Sequence, residues 1–202
     1  MIYLFTMLIT YFILNQLLHN FTMKLNVWFH LVICLLCMYL AKQHLITYFI
    51  FIVLYIIGYI DYKTMYIFDV FLLIYLFLIT IYAIHHPLCL TQMWISFGTI
   101  SCMNLLNIDK ERIGVGDIYL LYASSIYFSI MDLSLVMFIA CCLAFIYILI
   151  LKKRSEYIPF APFLCIGIIL MLSIKTISNS AEVGFVQSTE RLRQMRSGLL
   201  QL

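Results

Sequence analysis

Carboxylates beside hydrocarbon are the residues of this chain with chemistry to offer. A charged side chain in or next to an apolar helix is costly, so each one asks for a function. Asp and Glu together number 9 in 202 residues. Glu182 and Glu190 lie in a polar C-terminal stretch, Glu156 and Asp132 lie in connectors, and Asp109 and Glu111 cluster with Lys110 and Arg112. Three remain: Asp61 at the end of one apolar segment, Asp69 one turn into the next, and Asp117 in Gly114-Val115-Gly116-Asp117. Two carboxylates brought together at a low-dielectric edge cannot both ionise cheaply, so one keeps its proton while the other acts as a base. The base can take a proton from water attacking a peptide carbonyl, while the acid hydrogen-bonds the carbonyl oxygen. That is aspartic-protease chemistry, and its two titrations belong to the pair. Asp61 and Asp117 equally suit a role as helix-capping interface residues, because Gly-x-Gly spacing alone is a weak signal.

The elements that must position these residues are membrane helices. The composition is 65% hydrophobic and 10% charged, against roughly 45–50% apolar and 25% charged in a soluble domain. Breaking the chain at charged and turn-forming residues gives an all-α, polytopic bundle of about eight helices. They are expected near 2–18, 26–41, 45–60, 66–84, 90–106, 117–131, 133–151 and 158–175. The sixth is short, rising about 22 Å against a hydrocarbon core of about 30 Å, so thinning or burial of one end in protein is implied. No repeat or linker interrupts residues 1–175, which read as one membrane domain, and 176–202 read as a polar tail.

The connectors fall alternately on two sides. One set carries Lys24, Lys63, Lys110, Arg112, Lys152, Lys153 and Arg154; the other carries Lys42 and Lys175, with Arg191, Arg193 and Arg196 further out in the tail. The positive-inside rule places the first set in the cytoplasm. Asp61 and Asp117 then share the cytoplasmic side despite their separation in sequence. The N-terminus and the tail are expected outside. With the basic residues mostly in connectors and a net charge of +3, they read as orientation signals, not as a nucleic-acid surface.

The other reactive residue types have plainer readings. The 7 cysteines lie almost wholly in apolar segments and read as small buried hydrophobes. Cys34 and Cys37 have C-x-x-C spacing but lack the second pair of a zinc site. His85 and His86, before Pro87, read as loop residues. Gly114 and Gly116 would allow close backbone approach and unusual backbone angles around Asp117. Asp117 at a helix N-terminus would be favoured as an anion. Lys63 could support an Asp61 carboxylate or serve as a positive-inside anchor. Asp69 could orient the first segment or be a buried polar helix contact.

At this point the residues resemble the prepilin peptidases, GxGD-type intramembrane aspartic proteases of type IV pilus and type II secretion systems. Gly114-Val115-Gly116-Asp117 is similar to the family's GxGD motif, with Asp117 in the place of its second catalytic aspartate. Asp61-Tyr62-Lys63 with Ile67-Phe68-Asp69 resembles the first motif. Ile158-Pro159-Phe160-Ala161-Pro162-Phe163 resembles the Pro-Phe-Gly-Pro-Phe run that opens a late helix. Phe68, Ala161 and Tyr119 depart from the usual Pro, Gly and Lys without removing a carboxylate.

The resemblance implies Asp61 and Asp117 as the catalytic pair, with Gly114, Gly116, Lys63, Asp69, Pro159 and Pro162 shaping the site. It implies a prepilin or pseudopilin precursor as substrate, cut at the cytoplasmic face of the bacterial inner membrane. The substrate has a short basic leader, a Gly before the cleaved bond and an apolar helix that stays in the bilayer. Asp109 and Glu111 could attract the leader, or form a solvated charged face. No metal or bound cofactor is expected. S-adenosylmethionine enters only if the family's second activity, N-methylation, is retained, and the cysteine-rich module of bifunctional members is absent. A presenilin-type protease fits less well, because Ile60 precedes Asp61 and the late motif is Pro-Phe-Ala-Pro. A transporter or non-catalytic assembly subunit would use intramembrane acids for ions, and favours paired half-helices that this chain lacks.

Overall fold

In hydrocarbon a backbone can satisfy its hydrogen bonds only internally, so long apolar runs without proline fold as helices. A computed structural model of the protein describes residues 27–40, 45–85, 90–107, 114–151 and 158–178. Within them lie α1 (Val27–Leu40), α2 (Leu45–Thr64), α3 (Asp69–His85), α4 (Leu90–Asn107), α5 (Val115–Ser124), α6 (Ile130–Leu151) and α7 (Ala161–Ser178). The described residues contain no strand. The fold is all-helical, and α2, α6 and α7 are long and apolar enough to cross a membrane. The helix expected at 2–18 and the tail beyond 178 lie outside the described residues. So do Asp109, Glu111 and Glu156, and Lys24, Lys42, Lys110, Arg112 and Lys152 to Arg154, the basic residues that give most of the expected orientation.

Helix α2 is the centre of the bundle. Ile50, Phe51, Leu54, Ile57 and Ile60 on it are fully buried, and it packs against α1 and α3. Helix α3 also packs on α5, and α4 on α5 and α6. Helix α7 closes against both α2 and α6: Pro162 touches Gly58, and the Val136 carbonyl lies 2.9 Å from where a Gly167 β-carbon would stand. Helix α6 is apolar on every side and mostly exposed, as suits a helix whose outer surface faces lipid.

The ends of these helices have local causes. Helix α2 runs past Asp61 to Thr64, further than expected. It stops where Met65 turns into the left-handed region at φ 56 and donates its N–H to the Asp61 carbonyl at 2.8 Å. Helix α5 is shorter than the expected 117–131. Ser124 and Ser125 hydroxyls bond back to the Leu120 and Tyr122 carbonyls, and residues 125–127 form a turn. Helix α6 then opens with a reciprocal cap. The Asp132 carboxylate accepts from the Ser129 N–H at 2.9 Å and hydroxyl at 2.7 Å, while Ser129 Oγ accepts from the Asp132 N–H. Asp132 is therefore in the first helical turn and not in a connector. It also pairs with Lys175 near the end of α7, and Lys175 lies over the rings of Tyr127 and Phe128. That cluster closes the end of the bundle away from Asp61 and Asp117.

The cysteines are not uniformly the buried hydrophobes that their apolar surroundings suggest. Cys34, Cys37 and Cys165 are buried, but Cys102, Cys141 and Cys142 are exposed on their helices. Apolar sequence says that a residue is in the membrane layer, not whether it faces protein or lipid.

Candidate active site

Asp61 is held by the last turn of α2 and Asp117 by the first turn of α5. Both are 7% exposed. Three contacts shape the place where they meet, one joining the connector after α2 to α5 and two joining α2 to α7. The connector after α2 carries Ile67 onto Gly116, with Ile67 Cδ1 2.8 Å and Cβ 3.0 Å from where a Gly116 β-carbon would stand. Gly58, one turn before Asp61, meets the start of α7, with Pro162 Cα 3.2 Å from its own missing β-carbon. Cys165, one turn further along α7, has its Cβ 3.6 Å from the same missing β-carbon of Gly58 and lies within the electrostatic reach of both carboxylates. The two carboxylates are close enough for their charges to repel.

The hydrogen bonding at the pair is incomplete. Asp61 Oδ2 and Asp117 Oδ1 are buried with no partner among the described residues. The backbone amide of Ala161 faces the Asp61 carboxylate as a donor, and Asp117 Oδ2 folds back towards Gly114, 3.1 Å from its missing β-carbon. Buried carboxylate oxygens are normally satisfied, and an orphaned pair at one place is where a water or a substrate group would bond.

The remaining expected site residues fall as follows. Gly114 caps α5 with φ −59 and ψ 137, and its carbonyl accepts from the Asp117 and Ile118 amides at 3.1 and 3.2 Å. No glycine among the described residues has a positive φ. The unusual angles expected of Gly114 and Gly116 are thus not used; their small size is. Lys63 is exposed and lies 5.6 Å from the Tyr62 ring centre, with no ion pair to a described carboxylate. Asp69 is exposed in the first turn of α3, not a buried contact. Pro159 is buried, and Pro162 sits in the first turn of α7, where a missing N–H leaves no helical bond unmade. His85 ends α3, whereas His86 lies outside the described residues. Among the described residues, no three His, Cys, Asp or Glu side chains gather as a metal site requires.

Gly58, Ile67 and Cys165 were not singled out by sequence reasoning as shaping the pair. Gly58 stands three residues before Asp61 and Cys165 three after Pro162, but that spacing becomes informative only once α2 and α7 are known to touch.

No curated protein and no solved structure matches the chain. A family model described as the type IV leader peptidase family matches residues 48–149, half of the chain and the stretch that holds both Asp61 and Asp117. An all-helical membrane protein with that match belongs to the type IV leader peptidase family.

Proposed function

We propose that the protein is an aspartic endopeptidase that removes the short basic leader of type IV prepilin-like precursors. Asp61 and Asp117 carry the reaction. The observation that supports this reading best is the meeting of two buried carboxylates, each with an unpartnered oxygen, in a chain of the leader peptidase family.

The chemistry uses the pair and one water. The ionised carboxylate takes a proton from water as the water oxygen adds to the peptide carbonyl carbon. The protonated carboxyl gives its proton to the carbonyl oxygen, so no free oxyanion forms. Transfer of a proton to the amide nitrogen then lets the C–N bond break, releasing the leader as a carboxylic acid and the mature chain as an amine. One water is consumed, and the pair returns to one proton shared between two carboxyls. The reaction needs no metal or cofactor, and methyl transfer from S-adenosylmethionine lies outside it.

The membrane setting fits such a substrate. A site at the cytoplasmic end of the inner-membrane bundle can receive a basic leader that never crosses the bilayer, while the apolar helix of the precursor stays in lipid. Exposed Lys63 at the end of α2 suits a cytoplasmic anchor.

The test is cleavage of a prepilin-like precursor in membranes holding the native protein, Asp61→Asn or Asp117→Asn at equal levels. Native protein trims the leader, and each variant loses several orders of magnitude in rate. Native-rate cleavage by either variant would remove the carboxylate-pair mechanism.

A further inference from the structure

The start of α7 is pressed onto α2 at a glycine. A β-carbon on Gly58 would stand 3.2 Å from the Cα of Pro162, tighter than ordinary van der Waals contact, and 3.6 Å from Cβ of Cys165. The obstructing atom is backbone in the first turn of a helix, so it can yield only if that turn moves. Asp61 lies one helical turn beyond Gly58 on the same helix, and Ala161, fully buried, is the neighbour of Pro162.

We propose that Gly58 is a positioning residue for the Asp61–Asp117 pair: lacking a β-carbon, it lets the first turn of α7 close onto α2 and hold the Asp61 carboxylate in place. The late proline motif then acts through backbone placement. Pro159 and Pro162 set where α7 begins, and Gly58 sets how near that beginning comes to Asp61. The Ala161 amide faces Asp61 because of this approach. An α2–α7 separation greater by a few tenths of an ångström would leave both carboxylates present but out of register for one shared water.

This inference rests on the aspartic-peptidase reading, and its test separates the two. Purified protein is assayed on a prepilin-like precursor as Gly58→Ala, Gly167→Ala and Asp61→Asn beside the native chain. Gly167 serves as a steric control, because an added β-carbon there would stand 2.9 Å from the Val136 carbonyl, between α6 and α7 and away from the pair. Gly58→Ala is expected to lower kcat by about tenfold or more with little change in KM, since small misplacements of reacting groups act on the chemical step. Gly167→Ala is expected to lower thermal stability while the folded enzyme keeps its kcat. Should Gly58→Ala not fold, Ala161→Pro removes the amide N–H at the first position of α7, where proline is tolerated, and the same loss of kcat is expected. Native kcat in Gly58→Ala, an equal kcat loss in Gly167→Ala, or, where Gly58→Ala does not fold, native kcat in Ala161→Pro, overturns the positioning role. If Asp61→Asn still cleaves, the underlying mechanism fails instead.

Discussion

Ile67 occupies the space that a side chain on residue 116 would need. Its Cδ1, Cβ and Cγ1 lie 2.8, 3.0 and 3.2 Å from the Gly116 β-carbon position. The connector that follows Asp61 thus rests on the backbone next to Asp117, so a contact between flanking residues joins the Asp61 side of the site to the Asp117 side.

Gly116→Ala is therefore expected to push this connector away from α5 and lower kcat/KM by about ten- to a hundredfold. Ile67→Ala in the same chain removes Cδ1 and Cγ1 but keeps Cβ at 3.0 Å, and should restore part of the loss. A double-mutant cycle on precursor cleavage measures this. Additive losses would mean that the contact does not position the pair.

Asp61 and Asp117 act as a unit in the proposed mechanism, so their losses should not add. The double variant Asp61→Asn, Asp117→Asn is expected to be about as slow as the slower single variant. Single-turnover cleavage rates would decide it, and a double variant slower by the product of both losses would point to independent roles.

At the other end of the bundle, Asp132 caps α6 and pairs with Lys175 of α7, the side chains being 13% and 24% exposed. Removing one partner leaves a partly buried charge. Asp132→Asn and Lys175→Met are each expected to cost about 1–3 kcal/mol of stability. Thermal denaturation in detergent should show the loss, with kcat of the folded fraction unchanged.

The buried hydrogen bond between Tyr75 and Ser124, 2.9 Å long, joins α3 to α5. Ser124 Oγ already donates to the Leu120 carbonyl at 2.8 Å, so the Tyr75 hydroxyl is the donor to Ser124. Tyr75→Phe leaves Ser124 with its carbonyl partner and is expected to cost about 1 kcal/mol. Ser124→Ala strands a fully buried phenol and should cost more, about 1–3 kcal/mol. The order of the two midpoints in thermal unfolding checks the assignment.

Much of the fold was legible in the sequence. Most of the expected segments from 26 onward coincide with described helices to within a few residues, because apolar runs bounded by polar connectors leave the backbone little choice but helix. The largest discrepancy is α5, where the Ser125 hydroxyl takes the Tyr122 carbonyl that the Ile126 N–H of a longer helix would use. Asp132 likewise differs from the connector residue that its sequence suggests, standing in the first turn of α6. Its pairing with Ser129 is local, but its partner Lys175 lies on another helix.

Residue types and spacing by themselves determined the membrane-helix class and the few acids that sit beside hydrocarbon. A run of apolar residues specifies a helix whatever surrounds it. Helices apolar on all sides, such as α6, carry no pattern that says which face meets protein, so exposed Cys141 and buried Ala140 read alike in the sequence. Only the tertiary structure decided that Gly58 meets Pro162, that Ile67 rests on Gly116, and that Asp61 and Asp117 share one buried place. Those contacts depend on the absence of a β-carbon at single positions facing a neighbouring helix or connector, and a neighbour exists only once the chain has packed.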